Sequence, residues 1–221
     1  MDETRDLTQD PHSGQPVRAE GLPLGRARAA MIMVHGRGAR AEDILTLAGP
    51  LALPEFAYLA PQAAENTWYP KRFLVPIEEN EPWLSSGLGR IAAVLQRIHN
   101  SGIPYEHTFL LGFSQGACLA LEFAARNARR YGGVAGLSGA LIGADGAPRQ
   151  DAGSLEGTPI FLGCSDTDLH VPKERVDQTA EVLRRLGAVV TERLFPNLGH
   201  TTNEDEINFV RGMMQKVLEK A

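Results

Sequence analysis

Cysteine is scarce in this sequence, since Cys118 and Cys164 are the only two among 221 residues. Both lie inside predicted secondary-structure elements, and they form no closely spaced pair of the kind that binds metal. We therefore expect reduced, buried thiols that pack as small hydrophobic side chains. Long apolar runs are also missing, because none approaches the roughly 18 residues that a membrane-spanning helix needs. The sequence thus argues against a membrane span.

Positive charge is limited as well. Lys and Arg number 22 against 27 Asp and Glu, which makes the formal net charge −5, and no large basic cluster is present. This balance argues against nucleic acid as a partner. The N-terminal residues 1–5 are acidic and polar, which is not typical of a secretory signal, so we expect a cytoplasmic location.

Short apolar runs alternate along the chain with segments of helical periodicity. The runs predict strands near residues 29–34, 56–59, 109–111, 133–138, 159–163 and, closer to the sheet edge, 188–194. The helical segments have apolar residues at steps of four and three, as in Leu84, Leu88, Ile91, Leu95 and Ile98. This alternation predicts an α/β fold, a three-layer sandwich around a mostly parallel sheet.

The domain organisation follows from the same patterns. Residues 29–221 are expected to form a single domain, and that length suffices for a sizeable core. Residues 1–28 are polar and rich in Pro and Gly, and we interpret them as an N-terminal arm with a short edge strand near 16–19. The segment between Val134 and Ile160 has no long insertion, so we expect no large lid and a shallow pocket.

A glycine–serine pentad, Gly112-Phe113-Ser114-Gln115-Gly116, stands between one of these strands and a long helical pattern. A turn this sharp needs glycine on both sides, because side chains there would collide with the neighbouring strand and helix. Ser114 would then be held in a strained conformation that exposes its hydroxyl. Strand, turn and helix in this order are typical of the nucleophile elbow of an α/β-hydrolase. A chance Gly/Ser turn is the alternative.

A serine nucleophile needs a histidine base and a carboxylate, which follow it in this fold in the order Asp or Glu, then His. His200 follows a predicted strand, at the sheet edge where ligands bind, and is the preferred base. His170 is the alternative. The remaining histidines lie at positions unsuitable for a base: His12, His35, His99 and His107. Of these, His12 and His99 are expected at the surface.

The acid and the oxyanion donors come from two further loops. Asp166 and Asp168 both follow a strand, and spacing alone does not separate them. One donor is expected from the N–H of Gln115, directly after the serine. The second is expected from the glycine turn at 35–38, with the N–H of Arg37. A plain glycine-rich connection is the alternative, and a phosphate-binding loop is disfavoured because the Walker lysine is missing.

Four ordered motifs resemble the phospholipase/carboxylesterase family, which includes the acyl-protein thioesterases: the pentad, His35-Gly36-x-Gly38, Asp168-x-x-Val171-Pro172 and Gly199-His200. The resemblance implies Ser114 as nucleophile, Asp168 as carboxylate and His200 as base. It also implies oxyanion donors on the backbones of Arg37 and Gln115. Trp68 and Leu169 are the expected substrate contacts. Arg37 replaces an apolar residue of the thioesterases, which brings the chain nearer to the bacterial carboxylesterase branch.

The sequence therefore predicts a serine carboxylesterase for short-to-medium acyl or aryl esters, with thioesters as further substrates. No metal or cofactor is implied, the expected partner is a small-molecule ester, and we expect a monomer or weak homodimer. One alternative is an acyl-protein thioesterase or lysophospholipase. Others are a dienelactone-type or peptidase-like hydrolase, and a non-catalytic binding module on the same fold.

Overall fold

The computed structural model describes residues 10–219. Within this range the chain forms a seven-stranded sheet in the order β1-β3-β2-β4-β5-β6-β7. Strand β1 pairs antiparallel with β3, and all other neighbours are parallel. The strands are β1 Val17–Gly21, β2 Ala29–Val34, β3 Phe56–Pro61, β4 Thr108–Phe113, β5 Gly133–Leu137, β6 Pro159–Ser165 and β7 Val189–Phe195.

Helices cover both faces of the sheet, which confirms the predicted three-layer α/β architecture. The α-helices in the described range are α1 Ala41–Leu45, α2 Trp83–Asn100, α3 Gln115–Arg126, α4 Lys173–Arg185 and α5 Glu204–Leu218. Apolar side chains of α2, α3 and α4 pack on one face, and those of α1 and α5 pack on the other. None of these helices is both long and apolar enough to cross a lipid bilayer.

A hydrophobic core lies on each face of the sheet. Successive side chains along a strand point to opposite faces, so each strand contributes to both cores. In β4, Leu110 packs with the α2, α3 and α4 layer, whereas Phe109 and Leu111 pack with the α1 and α5 layer. Because both faces are covered, the central strands are continuously apolar rather than alternating in polarity. Strand β7 lies at the sheet edge and is partly exposed, as its sequence pattern predicts.

The N-terminal segment covers the other edge of the sheet. Strand β1 lies along β3, close to the short edge strand expected near residues 16–19. The surface position predicted for His12 is wrong, because this side chain is fully buried. Its Nδ1 accepts the Ala64 N–H at 3.1 Å and its Nε2 donates to the Trp68 carbonyl at 3.0 Å. Residues 1–9 of the predicted arm lie outside the described residues, and the division at residue 28 stays a prediction.

The parallel strands place the candidate residues at one edge. The turn at 35–38 follows β2, Ser114 follows β4, Asp168 follows β6, and His200 follows β7. Since the carboxyl ends of parallel strands lie along the same edge of a sheet, four loops distant in sequence meet there.

Candidate active site

Ser114 occupies a sharp turn between β4 and α3. Its backbone angles are φ 55° and ψ −121°, a conformation that side-chain-bearing residues rarely adopt. The serine N–H donates to the Leu137 carbonyl at 2.9 Å, which anchors the turn to β5. A side chain at Gly112 would lie 2.5 Å from the Ala117 nitrogen, and one at Gly116 2.5 Å from the His35 carbonyl oxygen. The surrounding backbone therefore requires both glycines.

The structure brings Ser114, His200 and Asp168 into one hydrogen-bonded chain. His200 Nε2 lies 2.8 Å from Ser114 Oγ, and His200 Nδ1 lies 2.7 Å from Asp168 Oδ2. A carboxylate can only accept, so Nδ1 carries the proton. Nε2 is then left as the acceptor that faces the serine hydroxyl. This is the arrangement that a serine nucleophile requires.

Asp168 is held in its ionised form by the donors around it. Burial opposes its charge, but hydrogen bonds from His200 and from the N–H groups of His170 and Val171 outweigh burial and lower the pKa of its carboxyl. The two backbone donors lie 2.7 and 3.1 Å from Oδ1. The neighbouring Asp166 is turned away and accepts the Asn197 N–H at 2.8 Å. Of the two aspartates that spacing left open, the structure thus places Asp168 against the histidine.

His170 lies beside the histidine that contacts Ser114. The His170 and His200 rings are 4.6 Å apart between centroids, and Phe113 packs on His200 with its ring centroid 5.2 Å away. These two rings restrict the orientation of the His200 imidazole. His170 thus contacts both His200 and, through its backbone, the candidate acid.

The glycine turn after β2 lies directly against Ser114. A side chain at Gly36 would lie 3.4 Å from Ser114 Cβ. His35 is buried, which lowers the pKa of its imidazole, and its Nε2 accepts the Ala63 N–H at 3.1 Å. The backbone that bears the expected Arg37 donor is thus held beside Ser114, while the donor role of Arg37 itself stays a prediction.

The loop of residues 67–72 is bound to the helix that follows Ser114. The Gln115 side chain accepts the Trp68 N–H at 2.8 Å and donates to the Tyr69 carbonyl at 2.8 Å. The sequence predicts a role only for the backbone N–H of Gln115. Its side-chain role has no local signal beyond its position next to the serine, because the loop it binds is more than 40 residues away along the chain.

Arg37 also binds this loop. Its guanidinium donates to the carbonyls of Tyr69, Pro70 and Lys71 at 2.9, 3.0 and 2.6 Å. Three backbone acceptors of one turn are therefore satisfied by one side chain, which links the loop to the glycine turn.

A cavity of about 310 Å³ opens over the serine. Its wall includes Ser114 and His200, the aromatic rings of Tyr69 and Phe73, and Cys118. This volume is near the lower limit of small-molecule sites, roughly 300–1,000 Å³. The expected shallow pocket stays a prediction.

The two expected substrate contacts do not line this cavity. Trp68 is fully buried and donates its indole N–H to the His35 carbonyl at 2.9 Å. This hydrogen bond stabilises the glycine turn that begins at His35. The expectation that Trp68 lines the site is therefore corrected. The Leu169 side chain is 91% exposed and lies outside the cavity wall. Its hydrophobic surface stands beside the site and not within it.

Both cysteines are buried and unpaired, as the sequence predicts. Burial raises the pKa of the Cys118 thiol to about 11 and that of Cys164 to about 12, in the latter case with help from the adjacent Asp168. Both are therefore protonated and unreactive at neutral pH. Across residues 10–219, no group of three or more His, Cys, Asp or Glu side chains is placed to hold a metal ion.

The sequence profile of the phospholipase/carboxylesterase family matches residues 22–218. The chain belongs to the phospholipase/carboxylesterase family. The family expected from the motifs is therefore confirmed, and with it the α/β-hydrolase fold. Members of this family are hydrolases that include carboxylesterases and thioesterases.

Individual relatives agree with this membership. The crystal structure of a phospholipase/carboxylesterase from Dyadobacter fermentans has a TM-score of 0.87 and 40% identity, covering 91% of this chain and 96% of that one. Acyl-protein thioesterase 1 of Gibberella zeae is 33% identical over 57% of this chain and 54% of its own length. The chain thus aligns with only about half the length of this curated relative. The Bacillus cereus carboxylesterase, 16% identical with a TM-score of 0.72, covers 97% of this chain and 100% of its own and shares the fold.

Proposed function

We propose that this protein is a serine carboxylesterase that hydrolyses short-to-medium-chain acyl or aryl esters, and thioesters of similar size. The observation that carries the proposal is the chain of two hydrogen bonds, at 2.8 and 2.7 Å, from Ser114 through His200 to Asp168. A serine hydroxyl is a weak nucleophile near neutral pH, and this geometry supplies the base that it needs.

The first half of the reaction acylates the serine. Ser114 Oγ attacks the ester carbonyl carbon while its proton passes to His200 Nε2, and the imidazolium that forms is stabilised by the ionised Asp168. The negative charge that develops on the carbonyl oxygen requires donors already in place, for which we propose the N–H groups of Arg37 and Gln115. Loss of one such donor typically lowers the rate by about 10²–10³-fold. His200 then gives its proton to the leaving alcohol, and the carbonyl re-forms as an acyl-enzyme.

The second half repeats the sequence with water. His200 removes a proton from a water molecule, whose oxygen attacks the acyl carbon of the ester on Ser114. The tetrahedral intermediate collapses, the proton returns to Ser114 Oγ, and the carboxylic acid leaves. The buried carboxylate of Asp168 keeps the same histidine tautomer in both halves.

The volume of the cavity supports a small ester over one with a long acyl chain. A volume of about 310 Å³ favours small substrates, which is why a carboxylesterase is preferred over a lysophospholipase. An acyl-protein thioesterase is the second candidate, since relatives of that name share about a third of the aligned residues. A non-catalytic module is disfavoured, because all three side chains are present in hydrogen-bonding geometry. A dienelactone-type hydrolase is disfavoured because it usually carries Cys where this chain has Ser114.

The test is turnover of p-nitrophenyl esters from acetate to octanoate, with Ser114→Ala as the inactive variant. We expect its kcat/KM to fall by about four to six orders of magnitude and fluorophosphonate labelling to be lost. Ser154→Ala is a matched control, because Ser154 is exposed and lies outside the cavity. Equal rates for wild type and Ser114→Ala would refute the assignment. Acyl thioesters of the same chain lengths are measured alongside, and a rate that rises steadily to the octanoyl thioester would favour the thioesterase.

A further inference from the structure

The charge around the active-site cavity differs in sign from that of the whole protein. The formal net charge is −5, yet the cavity is lined by two arginines, Arg37 and Arg72, and two histidines, His170 and His200. Among the described residues, none that lines it is Asp or Glu. Neither arginine forms an ion pair with another residue in the range 10–219. Two unpaired guanidinium charges in one small cavity attract anions.

The two guanidiniums differ in what they can still bind. Arg37 uses its terminal nitrogens on three loop carbonyls. Arg72 is exposed, and within the part of the chain that the structure describes its guanidinium forms one hydrogen bond, a long one of 3.4 Å to the His170 carbonyl. Most of its five N–H donors are therefore left for a ligand.

Arg72 is also held in place at its backbone. The buried Asn80 accepts the Lys71 N–H at 2.8 Å and donates to the Arg72 carbonyl at 3.2 Å. Together with the hydrogen bonds from Arg37 to the carbonyls of residues 69–71, these contacts fix the backbone of residues 69–72. The Arg72 guanidinium extends from this backbone toward the loop after β6, where it contacts the His170 carbonyl.

We propose that Arg72 determines specificity by binding a carboxylate on the substrate, so that the enzyme prefers small esters whose acyl or alcohol portion carries a negative charge. This inference rests on the proposed esterase function and names its substrate class. A guanidinium binds a carboxylate through two parallel, charge-assisted hydrogen bonds, which are about twice as strong as neutral ones. A substrate carboxylate therefore replaces the 3.4 Å contact to His170 with a stronger pair.

The Asp168 carboxylate, which is bonded to His200, does not oppose this binding. The Asp168 side chain is fully buried and is already bonded by His200 and two backbone N–H groups. One of its carboxylate oxygens contacts the His200 imidazole, and Asp168 is not among the residues that line the cavity. An incoming anion therefore faces the charges of Arg37 and Arg72.

The experiment compares matched pairs of esters that differ in one charge. For the alcohol portion the pair is 4-acetoxybenzoate and the neutral 4-acetoxybenzamide, and for the acyl portion it is monophenyl adipate and phenyl hexanoate. The measured quantity is the ratio of kcat/KM for the anionic and neutral members in wild type, Arg72→Gln and Arg72→Lys. Arg97→Gln is the matched control, because Arg97 is exposed on α2 and does not line the cavity. This substitution removes the same charge as Arg72→Gln at a position outside the site.

In wild type we expect the anionic member of at least one pair to be preferred, with the difference mainly in KM. Arg72→Gln should lower that ratio by about 10–100-fold, Arg72→Lys should lower it less, and Arg97→Gln should leave it unchanged. The preference should also weaken at high salt, because the site is open to solvent. A merely structural role for Arg72 would affect both members of a pair equally.

Two results would overturn the inference, and they are distinguishable. The first is a wild type that hydrolyses the neutral esters through Ser114 but prefers neither anionic ester, or an anionic preference that persists in Arg72→Gln. The proposed role of Arg72 is then wrong, and the esterase function stands. If no ester is hydrolysed and fluorophosphonate does not label Ser114, the esterase function fails and this inference fails with it.

Discussion

Replacing Glu206 with glutamine is expected to stabilise the protein at neutral and alkaline pH. Glu206 lies in the first turn of α5 and its side chain is fully buried. One carboxyl oxygen accepts the Asn203 N–H at 2.9 Å, whereas Oε1 has no hydrogen-bond partner among residues 10–219. The side chain packs onto Gly163 of β6, where any side chain on residue 163 would collide with the Glu206 carboxyl group. Burial raises the pKa of Glu206 to about 7, and the Asn203 N–H offsets this only in part.

The magnitude follows from this pKa and the ordinary value of 4.5. One pKa unit corresponds to about 1.4 kcal/mol, so ionising Glu206 in the folded state costs about 3 kcal/mol. Below pH 4.5 both folded and unfolded states are protonated, and nothing is lost. Between pH 4.5 and 7 the unfolded state releases its proton first, so stability falls as pH rises. Above pH 7 the loss is complete and constant.

The assay is urea unfolding of wild type and Glu206→Gln at pH 5, 6, 7 and 8. Glutamine keeps the size and one acceptor oxygen for Asn203 but carries no charge. We expect the variant to be more stable than wild type by about 1–3 kcal/mol at pH 8, with a smaller difference at pH 5. Glu204→Gln is the matched control, because Glu204 is exposed in the same helical turn and should lose a few tenths of a kcal/mol. A variant that loses stability at pH 8, or a difference independent of pH, would refute the reasoning.

Two further predictions concern the residues that follow the serine. Gln115→Ala leaves the buried Trp68 N–H without its acceptor, so the free energy of unfolding should fall by about 2–3 kcal/mol and KM should rise as loop 67–72 loosens. A loss below about 0.5 kcal/mol in urea unfolding would contradict this role. Gly116→Ala places a methyl group against the Val34 and His35 carbonyls, so we expect about 3 kcal/mol of destabilisation and little esterase activity. Gly212→Ala in α5, where a methyl group meets open space, should be neutral or stabilising, and equal melting temperatures for the two variants would disprove the packing argument.

Some of the site was predictable because its signals are local. The pentad around Ser114 combines a strand, two glycines and a helix within a few residues, and each part has its own steric reason. The order of the later loops follows from the alternation of strands and helices, which placed Asp168 and His200 at the carboxyl edge. Both the fold class and the family were therefore accessible from the sequence.

Other features were not predictable, because they depend on contacts between distant segments. Trp68 was expected at the cavity, but its indole faces the His35 carbonyl beneath the site. His12 was expected at the surface, but it is enclosed between residues more than 50 positions away. In both cases a ring nitrogen forms a hydrogen bond with a buried backbone group of a distant residue. The pattern of residue types along the chain does not indicate which distant backbone group that is.

The amino-acid sequence by itself determined the alternating strands and helices, the sharp turn at Ser114 and the loops that bear its partners. These depend on the periodicity of apolar residues and on glycine, which act within a few residues. Residue spacing left Asp166 and Asp168 open and only the family resemblance favoured Asp168, whereas the tertiary structure shows Asp168 against His200. Only the tertiary structure shows that Arg37 binds loop carbonyls and that Arg72 keeps a single long hydrogen bond at the cavity. Those outcomes depend on where crossover connections bring remote side chains and on which hydrogen-bond partners each one finds there.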